Sequence, residues 1–70
     1  MKKNDKVKII KGNGIYNNKE GVIKSITDDI VLIEGEGLSG AMNIVQRRPI
    51  PNSRYVTTNQ IEVIWEWVTI

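Results

Sequence analysis

Val22-Ile23-Lys24-Ser25-Ile26-Thr27-Asp28-Asp29-Ile30-Val31-Leu32-Ile33 is the stretch on which the reading of this chain turns. Two β-branched runs flank Thr27-Asp28-Asp29, whose short polar side chains bond their own backbone in turns. The stretch therefore predicts an antiparallel hairpin closed by a three-residue turn. Its second arm is apolar on both faces, which predicts a central place in a sheet or a covering segment. Upstream, Lys6-Val7-Lys8-Ile9-Ile10-Lys11 alternates, with Val7 and Ile9 on one face and Lys6 and Lys8 on the other, the pattern of a half-buried strand. Between these strands, Gly12 to Gly21 is dense in Gly and Asn, which tolerate positive φ, and reads as a long exposed loop.

Downstream, Glu34 to Gly40 holds three Gly in seven residues and reads as a flexible acidic loop. Ala41 to Arg47 is a weaker strand candidate, with Met42 and Ile44 alternating against Asn43 and Val45. Pro49 and Pro51 donate no ladder hydrogen bond, so residues 47–54 read as a loop or an edge. Tyr55-Val56 leads into Thr57-Thr58-Asn59-Gln60, where Thr57 or Thr58 is placed to cap one helical or 3₁₀ turn. In the last strand Ile61, Val63, Trp65 and Trp67 share one face, and Glu62, Ile64, Glu66 and Val68 the other. Five short strands cannot stack as a sandwich at this length, whereas closing into a small barrel removes the exposed edges. The expected fold is an all-β, five-stranded SH3-like barrel forming one domain over residues 1–70, with a short 3₁₀ turn before the last strand.

A chain of 70 residues buries only about 60% of the surface its unfolded form exposes, and small domains usually add disulfides, a metal or oligomerisation. It has no Cys and no His, so disulfide frameworks, zinc fingers, thiol nucleophiles and histidine-based catalysis are excluded. No apolar run approaches the ~18 residues of a membrane span, and no apolar stretch follows Met-Lys-Lys, so a cytoplasmic chain without a signal peptide is expected. The net charge of +2 conceals blocks: +5 over residues 1–24, −4 over 25–46, +3 over 47–54 and −2 over 55–70. Such segregation favours an anionic partner.

The stretch Asp5 to Gly35 resembles the KOW motif of ribosomal proteins and NusG-type elongation factors. Asp5-Lys6-Val7-Lys8-Ile9-Ile10-Lys11-Gly12, Lys19-Glu20-Gly21-Val22-Ile23 and Ile30-Val31-Leu32-Ile33-Glu34-Gly35 carry the resemblance. It covers 31 of 70 residues and implies an SH3-like barrel, with Gly21 at the central glycine where a Cβ is expected to be hindered. Tyr55 to Ile64 looks like the 3₁₀ turn and final strand of such barrels. The chain departs from the family at Asn13, Asn17 and Asn18, where strongly RNA-binding members carry extra basic residues, and in its Trp-rich ending.

Gly12-Asn13-Gly14 has neither the dinucleotide fingerprint nor a phosphate-loop lysine, so no nucleotide, small-molecule substrate or cofactor is expected. Asp28-Asp29 and Glu34-x-Glu36 suit turns and surfaces, and they lack the ligand ladder of a calcium loop, so no metal is expected. The binding candidates are Lys11, Lys19, Arg47, Arg48 and Arg54, with Tyr16 and Tyr55 as stacking platforms. Arginine forks grip phosphates, and aromatic rings hold unpaired bases. The expected role is a non-catalytic module for RNA, DNA or a nucleoprotein machine such as a ribosome or polymerase. The alternative is a protein-binding adaptor or inhibitor, or a homo-oligomer, using Trp65, Trp67 and the acidic loop, because two indoles overrun a small barrel interior. More remotely, Asp5–Gly12 and Ile61–Ile64 loosely resemble the tetrameric plasmid-type dihydrofolate reductase. Its central Val-Gln-Ile-Tyr is absent, and Ile44-Val45-Gln46-Arg47 is not an equivalent.

Overall fold

The computed structural model describes residues 1–65. The chain forms β1 (Lys6–Ile9), a 3₁₀ turn (Gly14–Tyr16), β2 (Glu20–Thr27), β3 (Ile30–Glu34), β4 (Met42–Asn43), β5 (Arg48–Pro49), β6 (Ser53–Thr57), a second 3₁₀ turn (Thr58–Gln60) and β7 (Ile61–Trp65). Five strands make one antiparallel sheet in the order β6-β3-β2-β1-β7, and β4 and β5 pair apart from it as a two-stranded ribbon. The all-β class and the five-stranded sheet match the expectation. The sheet is not closed, because β6 and β7 are its two edges and no ladder joins them among the described residues. No helix among these residues is long and apolar enough to cross a membrane.

The hairpin is tighter than the sequence suggested. Thr27 pairs with Ile30, which leaves Asp28-Asp29 as a two-residue turn with Asp28 at φ 54°, a conformation Asp tolerates through its local hydrogen bonds. β2 also carries a bulge: Ile23 pairs with Ile33 and Ser25 with Leu32, leaving Lys24 unmatched. Ile23 and Ile26 are three residues apart, so plain alternation would set them on opposite faces. The extra residue returns Ile26 to the side of its partner Val31.

The weaker strand expected over Ala41 to Arg47 shrinks to Met42–Asn43 within the ribbon, and the fifth strand of the sheet is Ser53–Thr57. Pro49 fits the ribbon because a short outlying strand asks little of its missing N–H. β3 is central, between β2 and β6, as its doubly apolar character implied.

The core is drawn from all five strands of the sheet: Val7, Ile9, Ile23, Val31, Ile33, Val56 and Ile61, with Leu38 added from the loop after β3. Asp5 is also buried, and its carboxylate accepts the Lys2 backbone N–H at 2.9 Å, closing the turn that leads into β1.

β7 departs from plain alternation at its end. Val7 pairs with Val63 but Lys6 with Trp65, so a register shift intervenes and places Trp65 opposite the solvent-facing Lys6 rather than in line with Ile61 and Val63. Trp65 is 53% exposed and absent from the core. Trp67 lies outside the described residues.

Candidate functional site

Two groups of candidate residues emerge at different places. The first is a polar hub where the loop after β1, the loop after β3, strand β6 and the turn Thr58–Gln60 meet. The Arg54 guanidinium lies over the Tyr16 ring, 4.2 Å from its centroid, donates through Nε to Asn13 Oδ1 at 2.9 Å and through Nη1 to the Ser39 carbonyl at 3.0 Å. Tyr16 Oη and Ser39 Oγ share a 2.6 Å hydrogen bond. Asn13 Nδ2 donates to Gln60 Oε1 at 3.1 Å, and the same oxygen accepts the Thr57 backbone N–H, also at 3.1 Å. The capping expected of Thr57 thus works in part through Gln60.

The hub brings Tyr16 and Arg54 together but sets Tyr55 apart. Arg54 and Tyr55 are neighbours in an unbroken ladder, so they face opposite sides of the sheet; the platform beneath Arg54 is Tyr16. Asn13, Ser39 and Gln60 are not among the binding candidates read from the sequence, because no spacing pattern marks residues that meet only in the folded chain. Lys11 borders the hub, its carbonyl accepting Asn13 Nδ2 at 3.4 Å, and its side chain is exposed.

The second group sits on the ribbon. Asn43 Oδ1 accepts the Val45 and Gln46 backbone N–H groups, each at 3.0 Å, an Asx arrangement that shapes the tip. The ribbon's root is fastened by Ala41 N–H to the Ser53 carbonyl and Ile50 N–H to the Ala41 carbonyl. Arg47 and Arg48 are exposed and, among the described residues, neither pairs with a carboxylate. Beside them Ile44 and Val45 are 84% and 88% exposed.

Three further lysines, Lys6, Lys8 and Lys19, lie beside carboxylates. Lys8 stands opposite Glu20 and Glu62, and Lys6 Nζ lies 3.3 Å from Glu20 Oε1. Lys19 lines a shallow groove with Glu20, Glu34 and Glu36. Gly21 is buried, and a Cβ there would come within 3.0 Å of the Leu38 side chain and 3.1 Å of the Glu34 carbonyl.

The two groups offer charge-assisted donors, an aromatic face and exposed aliphatic surface, which are the means of recognition by contact. Among the described residues no cluster of three acidic side chains is arranged to hold a metal ion. No family model matches the chain, and no significant match is found among curated proteins or solved structures.

Proposed function

We propose that the chain is a non-catalytic binding module that holds nucleic acid, alone or within a nucleoprotein machine, through the ribbon and the basic loop beside the hub. The observation that carries this reading is the pair Arg47 and Arg48, exposed together on the ribbon and not matched by a carboxylate among the described residues, while the β1 lysines are. Guanidinium forks suit phosphate oxygens in a way that a lysine point charge does not. Arg47 also holds φ 55°, a conformation costing a residue with a Cβ about 1–2 kcal/mol.

An SH3-like barrel is the framework this reading adopts, and the order of parts that the KOW resemblance implies goes with it. Two features support the barrel: the turn Thr58–Gln60 links the two edge strands directly, and a main sheet that has no second layer among the described residues buries its inner face by curling upon itself. The test is direct binding of labelled RNA and DNA oligonucleotides at ~50 mM salt, followed through a salt titration. The expected log–log slope is up to about −0.7 per phosphate contact on single strands, and replacing Arg47 and Arg48 together with Ala flattens it by about one to two contacts. Absence of binding to both polymers overturns the reading.

The alternative, a protein-binding adaptor or inhibitor, draws support from Ile64 and Trp65, exposed at the end of an edge strand. A stoichiometric protein that survives nuclease in a pulldown favours it.

A further inference from the structure

We infer that the ribbon tip is an apolar wedge: Ile44 and Val45 enter a nucleic-acid helix at an unstacked step while Arg47 and Arg48 hold the flanking phosphates. The inference rests on the nucleic-acid reading and specifies how the ligand is held. Three observations converge on it. Ile44 and Val45 are the most exposed apolar side chains among the described residues, and they lie at a chain reversal outside the main sheet. Their turn is organised by the paired hydrogen bonds to Asn43 Oδ1, so the tip meets a ligand with its conformation already set. The two arginines follow after Gln46 at the same end of the ribbon, and both are exposed, which puts guanidinium forks suited to phosphate beside the apolar tip.

Aliphatic side chains inserted between bases leave water and replace part of the stacking they disrupt, and phosphate contacts hold the deformed helix against them. A regular duplex resists this, because a stack must be broken. A bulge or mismatch has already lost it, so the wedge favours such sites. A protein cleft rimmed by carboxylates is the competing occupant for the same surface. Two adjacent guanidiniums without carboxylate partners among the described residues favour the repeating charge of a phosphate backbone.

The test uses the full chain with hairpin duplexes of RNA and of DNA, each prepared as a perfect stem and with a single-nucleotide bulge, 2-aminopurine flanking the bulge. Wild type is expected to bind the bulged stem roughly tenfold or more tightly than the perfect one, from the burial of two aliphatic side chains, and to brighten the probe as the base unstacks. Replacing Ile44 and Val45 with Ser, both on the surface, abolishes the preference and the brightening and leaves the salt slope unchanged. Agreement in one polymer alone supports the wedge and identifies which polymer it enters. Equal binding of bulged and perfect stems, or a Ser variant that keeps the preference, overturns the wedge and leaves the proposed function standing. No binding to any stem overturns both. A nuclease-resistant protein retained by wild type and lost from the Ser variant assigns the tip to a protein cleft instead.

Discussion

At Gly21 and Gly35 two backbone segments approach so closely that a Cβ on either meets a neighbouring atom at 3.0 Å or less. A Cβ on Gly35 would run into the Glu20 carbonyl oxygen and lie 3.0 Å from Gly21 Cα, both of them backbone atoms. A Cβ on Gly21 meets first the end of the Leu38 side chain, which can shift. Gly35→Ala is therefore expected to cost about 3 kcal/mol in a urea titration, and Gly21→Ala nearer 1 kcal/mol, with Gly21→Val at roughly 1–3 kcal/mol. Equal effects at the two glycines would show that the Leu38 loop is as unyielding as the backbone. Arg47 presents the opposite case, since its φ of 55° suits glycine. Arg47→Gly should be neutral or stabilising by up to about 1 kcal/mol while weakening nucleic-acid binding. Loss of stability on that exchange would mean that the arginine supports the fold.

Among the elements, the hub and the end of β7 separate most clearly. Asn13 links Arg54 to Gln60 through both atoms of its amide, so Asn13→Ala leaves the Arg54 Nε donor without its acceptor and removes one of the two donors to Gln60 Oε1. The expected cost is about 1–3 kcal/mol in the denaturant midpoint. Gln60→Ala should add less than its own single effect when combined with it, since the two belong to one network. At the end of β7, the register shift takes Trp65 off the core face. Trp65→Ser is accordingly expected to shift stability by under about 1 kcal/mol, against the 3–5 kcal/mol of a buried indole. Sedimentation of the same variant reports whether Trp65 holds a partner or a second copy: weakened association with an intact melt is the expected outcome, and unfolding contradicts it.

Over the whole molecule, the charge blocks of the sequence do not become charge blocks of the surface. Antiparallel pairing sets Lys8 against Glu20 and Glu62, and Lys6 reaches Glu20, so the lysine-rich first strand lies among carboxylates while, among the described residues, Arg47 and Arg48 remain unmatched on the ribbon. Nucleic-acid affinity should therefore respond unequally to charge removal. Lys8→Ala leaves the salt slope unchanged, and Arg48→Ala reduces it by about one contact. A slope equally sensitive to both would mean that the β1 face takes part in binding.

What the sequence alone determined was the class and the chief strands. Alternation at Lys6–Ile9, the paired runs around Asp28-Asp29 and the capped turn before Ile61 are all local patterns, and local sterics and hydrogen bonding suffice to set them. It also marked Arg47, Arg48, Arg54 and Tyr16 as candidate binding residues by type, though not how they would be grouped. Only the tertiary structure decided that Arg54 rests on Tyr16 rather than beside Tyr55, that Trp65 leaves the core face, and that the ribbon stands outside the sheet. The physical reason is the same in each case. A bulge changes the phase of every later side chain, and a hub built from residues up to 47 positions apart forms only when the sheet brings its loops together, so neither leaves a periodic trace in the chain.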